Sequence, residues 1–143
     1  MRRLLNITFL FSVFLFGSTA CNTKREAEPI AFGKDQCAYC KMTISNPKFG
    51  AELITDKGRI LKYDATECMV NHLNEDAPNY QGLYAVPYDK PKELSAVEDL
   101  YFLISPDFRS PMGANLAAFS DKKNIDQQYH TQLIDWQTLL KSL

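Results

Sequence analysis

The sequence predicts an α+β protein of two small β-β-α-β units in tandem, set behind a signal peptide and a flexible tether. Three features predict it. Short β-type runs bounded by turn residues recur between residues 49 and 136, a stripe of helical period follows the first pair, and the same order returns in the second half. A chain of 143 residues, 45% hydrophobic and 23% charged, has the composition of a globular protein of one or two small domains.

At the start, Arg2-Arg3 precede a largely apolar run over 4–16, and Gly17-Ser18-Thr19-Ala20 place small residues before Cys21. A charged start, a short apolar run and small residues make a secretory signal; the run is too short to span a bilayer comfortably. Small residues followed by cysteine resemble a bacterial lipoprotein signal, with Ser18 where a leucine is usual. That resemblance implies a lipid on Cys21, which would anchor the chain to a membrane of the cell envelope. Residues 1–20 are therefore assigned to the signal. Residues 21–34, polar and interrupted by Pro29 and Gly33, form the tether, and ordered structure is expected from Asp35.

Residues 35–95 make the first unit. Strands are expected over 49–55 and 59–63, with Asp56-Lys57-Gly58 closing a hairpin. Asp64, with Glu67 three residues on, reads as a capping box that opens a helix. Ala65, Cys68, Met69, His72 and Leu73 then fall on one face of that helix. Pro78 ends it, and 82–88 is the next strand, closed by Pro87. Residues 96–143 make the second unit, with strands over 100–105 and 114–119. Ser120 is expected to cap a helix over 121–129, followed by a strand over 133–136 and a helical turn over 137–143. His130 is placed at the surface and Trp136 in the core.

A formal net charge of −1, and no basic cluster beyond a few lysines, excludes nucleic acid as a partner. Removing 1–20 takes away two arginines and leaves the rest more acidic. No Ser-His-Asp arrangement or phosphate-cradling glycine loop is visible, and two histidines are few for a catalytic copper centre. The reading is a binding protein, not an enzyme.

Cys37-Ala38-Tyr39-Cys40-Lys41-Met42 is the most informative segment. The two-residue spacer lets both sulfurs turn to one point, and Met42 adds a thioether. Thiolate with thioether is a soft set that selects Cu(I), whereas zinc sites use Cys, His, Asp and Glu. If Cys21 carries lipid, Cys37, Cys40 and Cys68 remain, an odd number that cannot close a disulfide framework.

Other readings stay open. Cys37 and Cys40 could form a structural disulfide, or serve a tethered thiol–disulfide oxidoreductase. That second fold wants its CxxC opening a helix, and here the motif precedes a hairpin. Cys37, Cys40, Cys68 and His72 could instead make a Cys₃His zinc staple, with Cys68 and His72 one helical turn apart. Packing on the apolar stripe is the simpler account of Cys68 and His72. Met112, in the turn Ser110-Pro111-Met112-Gly113, would complete a copper site if the two halves bring it to Met42.

The motif Cys37-x-x-Cys40-x-Met42, then Gly50-Ala51-Glu52, Gly58 and Lys62-Tyr63-Asp64, resembles the NosL family of nitrous oxide reductase accessory lipoproteins. Pro111-Met112-Gly113 and Ala117-Ala118-Phe119 resemble that family's second half. The resemblance implies a periplasm-facing Cu(I) carrier serving nitrous oxide reductase or its membrane maturation machinery, built of two related β-β-α-β units. Its metal residues would fall on Cys37, Cys40, Met42 and Met112.

Overall fold

The hairpin expected from Asp56-Lys57-Gly58 is the start of the first sheet. In the structure, a computed structural model that describes residues 25–143, β1 (Ala51–Thr55) pairs antiparallel with β2 (Ile60–Tyr63), Ala51 opposite Tyr63 and Ile54 opposite Ile60. Gly58 takes φ +78°, a left-handed backbone that glycine adopts without a Cβ penalty, and its N–H donates to the Thr55 carbonyl at 2.9 Å. The expected signal over 1–20 and the lipidation at Cys21 lie outside the described residues.

Helix α1 (Thr66–Asp76) crosses to β3 (Tyr80–Ala85), which pairs antiparallel with the free edge of β1; the two-residue β4 (Ser95–Ala96) completes a sheet of order β2-β1-β3-β4. Ala51, Leu53, Tyr63, Leu83 and Ala85 are buried on one face with Cys68, Met69 and Val70 of α1. The predicted stripe is therefore the packed face. The capping box is not realised: Ala65 stands at the cap position with no side-chain bond. Asp64 accepts the Ser45 N–H at 3.2 Å instead, and Glu67 turns into the interior.

The other face of β1 carries Gly50, Glu52 and Ile54, buried because the segment before Asp35 lies over it. The Glu28 N–H donates to Glu52 Oε1 at 3.0 Å, and a Cβ on Gly50 would meet Ile30 Cδ1 at 2.7 Å. Packing thus begins before the expected start at Asp35, with Ile30 in the core.

The second sheet keeps the strand order of the first without its intervening helix. β5 (Tyr101–Ile104) and β6 (Leu116–Phe119) form an antiparallel pair, and Phe102 bridges Ile134 on the other edge through two 2.9 Å bonds. In each unit the first strand is central, between the second and third. The strand expected over 133–136 shrinks to that bridge, because Asp135 caps α2 (Trp136–Ser142) by accepting the Thr138 N–H at 2.8 Å. The helix expected over 121–129 is replaced by 3₁₀ turns at Lys122–Asn124 and Gln127–Gln132. Its intended cap is taken elsewhere: the Ser120 N–H and Oγ donate to the Asp89 carboxylate at 2.9 and 2.7 Å. Ile125 is also its lone aliphatic residue, too little apolar surface to hold a helix against the sheet. Trp136 is buried against Phe102, ring centroids 5.7 Å apart, and His130 is exposed, as expected. The class is α+β, as the sequence predicts.

Candidate metal centre

Residues 36–43 fold back on themselves before the first sheet. The Cys37 N–H donates to the Met42 carbonyl at 2.8 Å, the Lys41 N–H to the Cys37 carbonyl at 3.1 Å, and Gln36 bridges Thr43. Closing so tight a loop forces Lys41 to φ +65°. The Ala38 N–H donates to the Lys62 carbonyl at 2.8 Å, fixing the loop to the end of β2. The chain then runs through Tyr63 and Asp64 directly into α1, so the first turn of α1 and the CxxC loop share one corner of the molecule.

Cys68 sits in that first turn. The Sγ atoms of Cys37, Cys40 and Cys68 all lie within 4.8 Å of one another, and all three cysteines are free. Cys37 and Cys68 are buried, while Cys40 is half-buried and opens the cluster on one side. Packing was the simpler expectation for Cys68, and the structure adds proximity to both other thiols. A helix repeat shows which face Cys68 takes; it does not show what lies against that face.

The cluster sorts its protons. The Cys68 thiol donates to Cys37, and the amides of Asp64, Cys40 and Tyr39 point at the same sulfur. Together they hold the Cys37 thiol down to about 4 against the opposing effect of burial. Donating to Cys37 pushes the Cys68 thiol up, with burial adding to the shift, and burial is the main cause that raises Cys40. The cluster thus favours the charged form on Cys37 and disfavours it on Cys40 and Cys68.

His72 does not join the cluster. Its Nδ1 lies 2.7 Å from the Tyr63 hydroxyl and its Nε2 3.1 Å from Asp76 Oδ2, so both ring nitrogens have partners. Met42 and Met112 are 56% and 40% exposed. Met42 belongs to the CxxC loop, its amide directed at the Cys40 sulfur. Met112 sits in loop 110–115, whose Ser110 hydroxyl bonds the carboxylate of Glu67, the residue before Cys68. The contacts that Glu67, Ser110 and Asp64 make could not be read from the sequence, where Asp64 and Glu67 suggest a capping box, since each acts through a partner distant in the chain.

Three thiol sulfurs gathered at one corner suit a soft ion. The sequence matches the model of the NosL family over residues 29–132. No curated protein matches it. Among solved structures it is similar to the crystal structure of the copper chaperone NosL from Shewanella denitrificans, with a TM-score of 0.70 and 16% identity, covering 84% of this chain and 98% of that one. At that identity the likeness speaks for the fold, and the family match, which spans most of the chain, carries the assignment: the chain belongs to the NosL family.

Proposed function

We propose that the protein is a carrier of Cu(I), not an enzyme, and that Cys37, Cys40 and Cys68 hold the ion with Met42 and Met112 at the rim. The observation that carries this reading is the approach of three Sγ atoms within 4.8 Å of one another. With metal–sulfur bonds of about 2.3 Å, sulfurs around one ion stand roughly 4 Å apart, so small side-chain shifts suffice. Thiolates suit a soft ion, and thioether from methionine, which zinc sites do not use, favours Cu(I) over Zn²⁺. Cys37, whose thiol the Cys68 side chain and neighbouring amides hold low, gives up its proton most readily and makes the first bond. The second and third bonds each displace a thiol proton or leave the sulfur neutral.

The copper is cargo, so its release matters as much as its capture. Two thiols are buried, Cys40 is half-exposed and the methionines are exposed. A client thiol or thioether can therefore reach the ion from the methionine side while Cys37 and Cys68 still hold it. The destination proposed is nitrous oxide reductase or its membrane maturation machinery. A lipid on Cys21 would hold the carrier at the envelope membrane, facing the periplasm, and the tether would raise its effective concentration there.

The copper reading is tested by competing the reduced chain against a Cu(I) chelator. One ion per chain is expected, lost in Cys37→Ser/Cys40→Ser; unchanged stoichiometry in that variant ends the proposal. Delivery is tested in cells lacking the chain, where nitrous oxide reductase should accumulate short of copper; a fully metallated enzyme contradicts it. Anchoring predicts that Cys21→Ser moves the protein from the membrane fraction to the soluble one.

A further inference from the structure

Glu67 is a carboxylate only 2% exposed, one residue before Cys68, and it has no ion-pair partner among the described residues. Burying such a group is costly unless hydrogen bonds compensate, and an apolar side chain would fill the space more cheaply. Apart from its own amide, its partners come from one loop. The Ser110 hydroxyl donates to Oε1, and the amides of Met112 and Ala114 face the carboxylate, although Oε2 closes no full hydrogen bond. Ser110 Oγ in turn accepts the Asn115 N–H at 2.9 Å. Gly113 and Asn115 both take left-handed backbone, φ +83° and +57°, and the Gly113 N–H closes the turn on the Ser110 carbonyl at 3.1 Å. Loop 110–115 is shaped around this carboxylate.

We propose that Glu67 is a positioning residue for the copper site: it clasps the Met112 loop of the second unit to the helix turn that carries Cys68. The clasp joins ligands from two distant parts of the chain through one side chain. This rests on the Cu(I) reading above, and it assigns Glu67 and Ser110 a part in binding that neither would have as ordinary core residues.

The test measures Cu(I) affinity by chelator competition, and sulfur neighbours by X-ray absorption, in four reduced proteins: wild type, Met112→Leu, Glu67→Gln and the double variant. A carboxamide can keep the Ser110 bond on its one oxygen, but its NH2 then sets a donor against the amides of Met112 and Ala114 where the carboxylate set an acceptor. Glu67→Gln is expected to weaken Cu(I) binding roughly 10–100-fold, the usual effect of removing an outer support of a metal site. It should also lose one sulfur neighbour, as Met112→Leu does, and the double variant should be no weaker than Met112→Leu alone. Wild-type affinity in Glu67→Gln, or losses that multiply in the double variant, overturn the clasp. Should Glu67→Gln fail to fold, Ser110→Ala cuts the same clasp and is held to the same two criteria. An unaffected Met112→Leu also overturns it, yet leaves the copper reading standing so long as Cys37→Ser/Cys40→Ser loses the ion.

Discussion

Four donors converge on the sulfur of Cys37, and that convergence leads to the first prediction. The reduced, metal-free chain should show the ultraviolet absorbance of one thiolate at neutral pH. The signal should vanish in Cys37→Ser and fade as pH drops through about 4. Cys68→Ala, which removes the foremost donor, should move that midpoint upward. A thiol titrating near its ordinary value of about 8.5 contradicts the geometry. Lys41, at φ +65°, stands where glycine is favoured, so Lys41→Gly should stabilise the fold by about 1 kcal/mol, read as a higher melting temperature. His72→Gln should leave copper stoichiometry unchanged, because both ring nitrogens are engaged away from the cluster; loss of the ion in that variant would restore histidine as a ligand. Cys37, Cys40 and Met42 were legible because they lie within six residues of one another. Cys68 was visible as a stripe residue, but its partners depend on how the chain returns through Lys62 to Asp64.

Between elements, the Lys62–Asp35 pair fastens the turn before the CxxC loop to β2. Lys62 Nζ donates to Asp35 Oδ2 at 2.8 Å and to the Pro29 carbonyl at 2.9 Å, while the same Asp35 oxygen accepts the Ala31 N–H at 2.8 Å. The lysine bond holds the Asp35 carboxyl below its ordinary value. A depressed native pKa contributes stability that is present above the unfolded value of 3.8 and lost as pH falls through the native one. Asp35→Asn should therefore cost about 1 kcal/mol at neutral pH, and the difference from wild type should shrink in acid; a gap that persists in acid contradicts the pairing. The hairpin and α1 were readable because turn chemistry and a five-residue stripe specify them locally. The helix expected after Ser120 was not realised because Asp89, distant in sequence, captures the cap, and Ile125 alone cannot bury a helix face.

Across the whole molecule, two sheets with the same central-first strand order share one buried cluster running from Ile30 to Leu139. The two hairpins were visible in the sequence, whereas the contact of loop 110–115 with the cysteine corner was not. That contact depends on loop 110–115 reaching the first turn of α1, where Ser110 meets Glu67, residues 43 apart in the chain. The result is a corner where two buried thiols and the half-buried Cys40 face one another, an arrangement suited to holding a soft ion. The central claim is that Cys68 shares the ion with Cys37 and Cys40. X-ray absorption of the Cu(I)-loaded chain tests it most directly. The account predicts a sulfur-only shell that loses one sulfur in Cys68→Ser; a shell that Cys68→Ser leaves unchanged, or one containing imidazole nitrogen, would contradict it.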